Sequence, residues 1–291
     1  MPGYAIHGSR SSAGAAEPRG RPPQNRAVMK HVANLGGLDY LSASYRIQDF
    51  PRHVHEEYLI GLIERGVHDV WCRGELWHAG AGSIATFAPG EPHFGGAGAE
   101  LGWSQKIFYL PEGLIQHVLE DSGTAALGTL DFKSPFQKNE YAARGLKLLW
   151  RLLEDNYSSS LEIDEHLIGF LPQFITQASK RNASIQRPMP PKFKNVRDFI
   201  HAHFDEPVQL DTLALIAGNS KTALIDGFKA HYGVPPNRYL IQVRIGEARR
   251  LLRQGLDIAS VAAAVGFADQ SHLTRHFKAI LGVTPARYLK A

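Results

Sequence analysis

Three histidines in the first third of the sequence have the type and spacing of a metal or ligand site. His53, His55 and Glu57 alternate along the chain, so an extended strand would place their side chains on one face. Another imidazole, His93, follows a later apolar run in the segment PGEPH. Imidazoles combined with a carboxylate can bind zinc or iron. Three interpretations stay open: a metal site, a polar lining for an organic ligand, and histidines that only stabilise the fold.

A second group of residues could belong to the same site. Trp103, Gln105 and Ile107 alternate along an apolar run, so they would share one face of a strand. Together with His93 they would form an apolar wall that carries a few polar groups, which is how small-molecule pockets are usually built. The same alternation is equally typical of an ordinary hydrophobic core, so pocket and core remain equal alternatives for these residues.

The residues near the C-terminus predict a different chemistry, the recognition of DNA. Asp269 can cap a helix in which Leu273, Phe277 and Ile280 form one apolar stripe. The opposite face carries amide, hydroxyl and basic groups and no acid, namely Gln270, Ser271, Thr274, Arg275 and Lys278. Base edges and phosphates require such groups. Because a short apolar helix and a glycine turn precede this helix, the sequence has the helix-turn-helix pattern.

The last hundred residues contain an internal repeat. The segment from Leu224 to Leu240 matches the segment 49 residues later, from Leu273 to Leu289, in its Phe-Lys-Ala, Gly-Val, Pro and Arg-Tyr-Leu residues. Chance does not explain so many coincidences, so we predict two helix-turn-helix units. The corresponding face of the first unit consists of Lys221, Thr222, Ile225, Asp226 and Lys229. A helix predicted at 236–254 joins the units and would span roughly 28 Å, close to the ~34 Å of one turn of B-DNA.

The first half of the chain must supply the scaffold for the histidines. Between residues 41 and 109, short apolar runs alternate with turn signals such as Arg65-Gly66, which predicts an antiparallel β-barrel. Two amphipathic helices follow at 141–156 and 161–180, and Pro172 should kink the second helix or mark its start. Their wide apolar face predicts a helical hairpin that packs on the barrel and pairs with a second subunit. Packing within the chain alone is the alternative.

Composition limits the classes of protein to consider. With 291 residues, of which 44% are hydrophobic, we expect about two domains with substantial cores. No apolar run approaches the ~18 residues that span a bilayer, and the N-terminus has no apolar signal core. The single cysteine, Cys72, excludes an intrachain disulfide, so we expect a cytoplasmic protein. Residues 193–291 carry 13 Lys and Arg against 8 Asp and Glu, whereas residues 31–192 carry 14 against 19. The C-terminal part is therefore the one expected to meet a polyanion.

The run from Val208 to Leu289 resembles the DNA-binding domain of the AraC/XylS transcription regulators. The resemblance is carried by the segment GFADQSH, the Phe-Lys pair, Gly-Val-x-Pro and the final Arg-Tyr-Leu. The first half resembles, more weakly, the family's cupin-type sensor barrel and dimer helices. The resemblance implies a homodimer on double-stranded DNA that recruits or positions RNA polymerase when a small effector binds the barrel. It also implies that Arg275 contacts base edges and that Lys278 reaches phosphate.

The sequence departs from these patterns at two places. Metal-binding cupins have a glutamate a few residues past the first histidines, where this chain has Leu59 and Ile60. We therefore predict no metal and no cofactor, and an organic ligand that is bound by His53, His55, Glu57, His93, Trp103 and Gln105. Asp226 stands where family members usually have arginine. Its carboxylate repels phosphate, which predicts weak binding by the first unit, and acceptance from a cytosine amino group is the alternative.

These observations predict an α+β protein with an N-terminal cupin-like antiparallel β-barrel and helical hairpin. Residues 1–26 are expected to be disordered, 27–182 to form the effector-binding and dimerisation domain, and 183–192 the linker. Residues 193–291 should form an all-α domain with two helix-turn-helix units. The predicted function is that of a ligand-responsive transcription regulator, an activator and not an enzyme. The alternatives are a metal-dependent cupin enzyme fused to a DNA-binding module, and an architectural DNA binder whose barrel only dimerises.

Overall fold

The computed structural model describes residues 25–123, 130–180 and 190–290, which form an N-terminal β-domain and a C-terminal helical domain. The segment predicted to be disordered, 1–26, lies outside these residues except for its last two. The predicted linker, 183–192, lies outside them except for its last three. Arg26 begins the first strand and Pro191 begins the first helix of the C-terminal domain. No helix in the described part of the chain is both long and apolar enough to cross a membrane.

The elements of the two domains follow one another along the chain. The strands are β1 (Arg26–Val32), β2 (Leu38–Tyr45), β3 (Phe50–His53), β4 (Tyr58–Cys72), β5 (Glu75–Gly80), β6 (Ser83–Phe87), β7 (His93–Ala97), β8 (Trp103–Leu110) and β9 (Phe136–Lys138). The helices of the β-domain are α1 (Glu112–Asp121), α2 (Glu140–Glu154) and α3 (Ser160–Ala178). The C-terminal domain consists of α4 (Pro191–Ala202), α5 (Leu210–Ala217), α6 (Lys221–Tyr232), α7 (Pro236–Arg253), α8 (Ile258–Ala264), α9 (Gln270–Leu281) and α10 (Pro285–Tyr288).

The strands form an antiparallel barrel around the long strand β4. Its first half pairs with β6 and β8, and its second half pairs with β5 and β7. The register shifts between Ile63 and Arg65, and Gly66 has a positive φ of 70°. An added Cβ at Gly66 would overlap the carbonyl of Gly102. The prediction that Arg65-Gly66 ends a strand is therefore wrong, because the bulge bends a continuous strand without reversing it.

Helices α1 to α3 cover the outer face of the barrel. Apolar residues of the sheet and of the helices form one core there, which includes Leu38, Ile60, Phe108, Ile115, Leu146, Phe170 and Phe174. Asn139 caps α2, and Ser159 forms a capping box with Glu162 at the start of α3. Pro172 lies buried inside α3 and so does not mark the start of that helix. Because the apolar stripe of α3 is buried within the chain, it needs no second subunit to cover it.

The C-terminal domain contains the predicted repeat. Helices α6 and α9, which we call the recognition helices, occupy equivalent places in the two helix-turn-helix units. Ser220 and Asp269 cap them by accepting hydrogen bonds from the amides three residues on, at 3.3 and 2.7 Å. Gly233 and Gly282 end them in the left-handed conformation. Helix α7 joins the two units, and its 18 residues span about 27 Å.

The two units differ in how they are joined to the barrel. The first unit has a core of its own, formed by residues such as Phe193, Val196, Leu213, Leu224 and Phe228. In the second unit, Leu273 and Phe277 belong to the same core as Leu41 and Tyr109 on the inner face of the barrel. The second unit is therefore packed as an extension of the barrel, whereas the first is packed mainly on itself and on α7.

A group of charged side chains lies at the centre of the domain interface. We call Asp39, Glu57, Arg249, Arg253 and Tyr288 the interdomain ion cluster. Asp39, on β2, is fully buried, and its carboxylate accepts hydrogen bonds from Arg249, from Arg253 at 3.2 Å and from Tyr288 at 3.3 Å. Its other oxygen lies 2.6 Å from Nδ1 of His31. A single barrel carboxylate thus holds three side chains of the helical domain.

Each charged side chain in this cluster is kept ionised by the opposite charges around it. Burial alone would raise the pKa of Asp39, but the hydrogen bond with His31 and the charges of Arg249 and Arg253 outweigh burial and lower it. Burial alone would lower the pKa of Arg249, but Glu57, at 2.6 Å, and Asp39 raise it well above its ordinary value. An unpaired charge buried here would be costly, so the ion cluster fixes the position of α7 on the barrel.

Replacement of Asp39 should destabilise the protein strongly. In Asp39→Ala, Arg249 stays buried but loses one of its two carboxylates, and we expect a loss of about 3–5 kcal/mol in the free energy of unfolding. Urea denaturation of the full chain measures this loss. Glu64→Ala is the matched control, because it removes only a half-exposed ion pair with Lys106 and should cost less than about 1 kcal/mol. Equal costs for the two variants would contradict a central role for Asp39.

Candidate functional site

The three histidines predicted from the sequence meet inside the barrel. His53, at the end of β3, is paired in register with His93, at the start of β7, and His55 follows two residues after His53. The rings are buried, and their centroids lie 4.5 to 5.2 Å apart. One nitrogen from each ring lies within 4.8 Å of the nitrogens from the other two. Strand pairing therefore brings together residues that are 40 positions apart in the sequence.

The other predicted ligand-binding residues lie in three different places. Gln105 lines the cavity beside the histidines. Trp103 is a core residue, and its Nε1 donates a hydrogen bond to Gln105 Oε1 at 3.1 Å, so it orients that amide. Glu57 does not line the cavity that holds all three histidines but a neighbouring pocket that it shares with His55. The reason is that β3 ends at His53 and the alternation does not continue into the bend at residues 56 and 57. Its carboxylate instead binds Arg249 in the interdomain ion cluster.

The hydrogen bonds of the histidines determine which ring nitrogen carries the proton. Nδ1 of His53 lies 2.7 Å from the carbonyl oxygen of Pro51, and Nδ1 of His93 lies 3.0 Å from that of Glu91. A carbonyl only accepts, so Nδ1 carries the proton in both rings and Nε2 keeps a free lone pair. Burial lowers the pKa of His53 to about 3 and that of His93 to about 4, and it holds the pKa of His55 well below its ordinary value. All three imidazoles are neutral at pH 7.

The histidines lie in a mainly apolar cavity of the barrel, which we call the histidine cavity. The space inside it that the centre of a water molecule can reach is about 50 Å³, within about 530 Å³ of empty volume that includes open solvent at its mouth. The barrel contributes apolar and aromatic side chains to its wall, among them Leu41, Phe50, Leu59, Val70, Phe87, Ile107 and Tyr109. His93 stacks on Phe87 with ring centroids 4.2 Å apart. An apolar cavity with a few polar groups is the usual form of a small-molecule site.

The wall of the histidine cavity is completed by the DNA-binding domain. Ile280 and Leu281, at the end of α9, line the cavity together with the barrel residues. Both recognition helices end against the barrel. A Cβ added to Gly233 would overlap Pro92, and a Cβ added to Gly282 would overlap the hydroxyl of Tyr45. The sequence assigned Ile280 to the buried stripe of its own helix, and no local pattern indicated that it contributes to a cavity in the other domain.

The predicted DNA-binding residues lie on one face of each recognition helix. The exposed ones are Lys221, Thr222 and Lys229 on α6, and Gln270, Ser271, Arg275 and Lys278 on α9. Ile225 and Thr274 are half-buried beside them. Asp226 is exposed on the same face of α6. Two of the lysines have neighbours in the chain: Nζ of Lys221 lies 2.7 Å from the Asp211 carboxylate, and Lys278 borders a cleft with Asn25 and Gln48 of the barrel domain.

Two known families match the two halves of the chain. Residues 35–171 match the AraC-like ligand binding domain, and residues 213–291 match a helix-turn-helix domain. The first match contains strands β2 to β9 with the three histidines, and the second contains both recognition helices. The boundary between the families therefore falls where the structure changes from the β-domain to the helical domain.

Whole-chain relatives share this arrangement. The chain is 30% identical over 230 residues to the HTH-type transcriptional regulator YbfI of Bacillus subtilis, which covers 78% of this chain and 82% of that protein. It is 22% identical over 264 residues to the HTH-type transcriptional activator RhaS of Escherichia fergusonii, and that alignment covers 81% of this chain and 86% of RhaS. The crystal structure of ToxT from Vibrio cholerae has the same fold, with a TM-score of 0.52 over 92% of this chain and 97% of that one at 14% identity.

These relatives give no support to the metal-dependent enzyme that the sequence left as an alternative, since they are regulators of transcription. The matches cover the sensor barrel and the paired helix-turn-helix units in the order found here. The chain belongs to the AraC family of transcriptional regulators, and it is a DNA-binding protein with an effector-binding domain.

Proposed function

We propose that this protein is an effector-controlled activator of transcription, in which a small molecule in the histidine cavity changes the affinity of the recognition helices for DNA. The observation that carries this proposal is that Ile280 and Leu281 of α9 form part of the cavity wall. A ligand in the cavity contacts the recognition helix directly. Its binding energy therefore differs between a state with α9 docked on the barrel and a state with α9 displaced, and allosteric control requires such a difference.

The lining of the cavity limits the chemical class of the effector. Apolar and aromatic side chains predominate, and Gln105 and the histidines supply the polar groups. The effector should therefore have a mainly apolar body and one polar or anionic group. ToxT, which shares the fold, has been crystallised with an unsaturated fatty acid, a molecule of this general composition. That structure supports only the point that such a fold can enclose a ligand of this kind.

The DNA contacts follow from the exposed faces of α6 and α9. We place Arg275 against base edges in the major groove, with Gln270, Ser271 and Thr274 beside it, and Lys278 at a phosphate. On α6, Lys229 and Lys221 would bind phosphates, and Lys221 would exchange its contact with Asp211 for one of them. Thr222 and Ile225 would face the bases. Helix α7, which joins the two units, is about 27 Å long, comparable to the ~34 Å of one turn of B-DNA, so we place the two recognition helices in successive major grooves on one side of the duplex.

We also propose two protein partners, a second copy of the chain and RNA polymerase. We expect a homodimer in the cytoplasm, bound to double-stranded DNA and in contact with RNA polymerase. Tyr157 and Leu161, at the tip of the hairpin formed by α2 and α3, are 95% and 64% exposed and offer an apolar contact for a second copy. Since each protomer binds two groove segments, a dimer binds four at fixed spacing, which increases both affinity and specificity.

The coupling between effector and DNA gives the direct test. Metabolites that raise the melting temperature are identified first, and operator binding is then measured with and without such a ligand. We expect the ligand to change DNA affinity about 5- to 150-fold. Ile280→Ala should reduce that change, while Leu215→Ala, which alters an 82% exposed side chain on α5, should preserve it. A ligand that binds the wild-type protein without changing its DNA affinity would contradict the proposal.

Arg275→Ala should weaken binding to the operator by about 5- to 150-fold, the equivalent of about 1–3 kcal/mol, because one guanidinium contact with a base edge is lost. Fluorescence anisotropy at fixed salt measures the affinity, and a set of operators with single substitutions shows which base position loses its selectivity. Arg144→Ala, which removes an exposed arginine of the sensor domain, is the control and should leave both quantities unchanged. Retention of full affinity and selectivity in Arg275→Ala would refute its assigned role.

Asp226→Arg should tighten DNA binding, because it replaces a charge that repels phosphate with one that attracts it. Each new phosphate contact should also steepen the slope of log affinity against log salt by about 0.9. Affinities measured between low and moderate salt give both quantities. Asp164→Arg changes an exposed residue of α3 in the sensor domain and makes the same charge change away from the recognition helices. If Asp226→Arg lowers the affinity at fixed salt, Asp226 contacts a base and the weak-binding interpretation is wrong.

A further inference from the structure

The histidine cavity contains imidazole nitrogens arranged in a way that binding of an organic effector does not require. Two of the four imidazoles that line it donate Nδ1–H to backbone carbonyls, His53 to Pro51 and His93 to Glu91. Histidines that bind metals almost always donate the second ring nitrogen in this way, which fixes the tautomer and the direction of the first. These hydrogen bonds leave the Nε2 lone pair of both rings free to bind a ligand.

The third imidazole completes the set. His55 is buried, and it makes no hydrogen bond with any of the residues described in the structure, so its ring nitrogens remain available. One nitrogen of each ring lies within 4.8 Å of the other two. In a tetrahedral zinc site, neighbouring ligand nitrogens are about 3.4 Å apart, given Zn–N distances of about 2.0–2.1 Å. Small ring rotations therefore suffice to close the set around one ion.

We infer that His53, His55 and His93 bind one divalent transition-metal ion per chain, with zinc as the best match. The ligand set contains neutral nitrogen and neither thiolate nor carboxylate. Cys72 is hydrogen-bonded to Glu91, and Glu57 is held by Arg249. Imidazole ligands suit zinc and its neighbours in the first transition series, whereas magnesium and calcium require oxygen. Three protein ligands also leave a coordination position open.

The metal ion could bind the effector directly at its open coordination position. This part of the inference rests on the proposed function. Leu59, which stands near where a fourth protein ligand would be expected, lines the cavity with an apolar side chain. Leu59 therefore supplies no fourth ligand, and we assign the remaining coordination position to a donor atom of the effector. An effector with a carboxylate or another oxygen donor would bind the ion with that group and place its apolar body against Phe50, Ile280 and Leu281.

Metal binding is tested on the full-length protein after removal of metals with EDTA and dialysis. Titration with zinc chloride, followed by calorimetry and by elemental analysis of the dialysed complex, should give one ion per chain. Zinc alone should also raise the melting temperature, since the ion binds only the folded protein. Cobalt(II) should give the visible absorption of a tetrahedral site. A wild-type protein that retains no stoichiometric zinc would overturn the inference.

Three variants decide which residues bind the ion. His55→Gln and His93→Gln should each weaken zinc binding by more than about 100-fold, since loss of a ligand exceeds the 10- to 100-fold effect of losing an outer-shell partner. His68→Gln changes a half-buried histidine of the same cavity, one that stacks on Trp103 with ring centroids 4.4 Å apart, and should retain the ion. Circular dichroism without metal establishes that the variants are folded. Undiminished binding in His55→Gln and His93→Gln, or equal loss in His68→Gln, would refute the site.

The metal site and the proposed function fail in distinguishable ways. If the protein binds no zinc but a metabolite still changes its DNA affinity, the effector function stands and the metal inference is wrong. If zinc binds with the expected variant pattern but no ligand changes DNA affinity, the metal site stands and the proposed control is wrong. His117→Gln, which alters a histidine with a 67% exposed side chain, identifies adventitious surface binding because it should leave the stoichiometry unchanged.

Discussion

The buried carboxylate of Asp39 is the constraint on which the arrangement of the two domains depends. It belongs to the inner face of the barrel, yet its partners Arg249, Arg253 and Tyr288 come from the helical domain. A charge removed from water is stable only when its partners are in place. Partial displacement of α7 would leave Asp39 and Arg249 buried and poorly paired. The interface therefore favours two states, fully docked or fully separated, and such a bistable element is what a ligand can shift.

The cores of the protein show which half of the DNA-binding domain is subject to this control. The second helix-turn-helix unit shares its core with the inner face of the barrel, and α9 reaches the histidine cavity. The first unit has a separate core and meets the barrel mainly through Gly233 and the hydrogen bond from Arg52 to its carbonyl at 2.8 Å. The first unit also carries Asp226 on its DNA face. The unit to which we assign the stronger DNA contacts is thus also the unit that lines the cavity.

The sequence predicted the features that depend on local patterns. The cap at Asp269 and the apolar stripe of Leu273 and Phe277 are encoded within a few residues of one another, and the repeat is visible as identical residues at a constant spacing of 49 positions. The continuity of β4 was missed because Arg65-Gly66 has the same local composition in a bulge as in a turn. The ion cluster was missed because Asp39 and Arg249 are 210 residues apart, and a lone acid in an apolar strand was its only trace. Glu57 was misplaced because alternation predicts a shared face only while the strand continues.

The position of the missing glutamate can be interpreted differently once the structure shows where Leu59 and Ile60 lie. In the sequence, Leu59 and Ile60 reduced the set of candidate ligands and favoured an organic ligand over a metal. In the structure, Ile60 belongs to the outer core and Leu59 lines the cavity, so neither residue at the position of the missing glutamate supplies a ligand atom. A fourth protein ligand would close the coordination sphere, as in structural zinc sites. Its replacement by leucine preserves an open position beside the residues of α9, where a bound effector contacts both the ion and the DNA-binding helix.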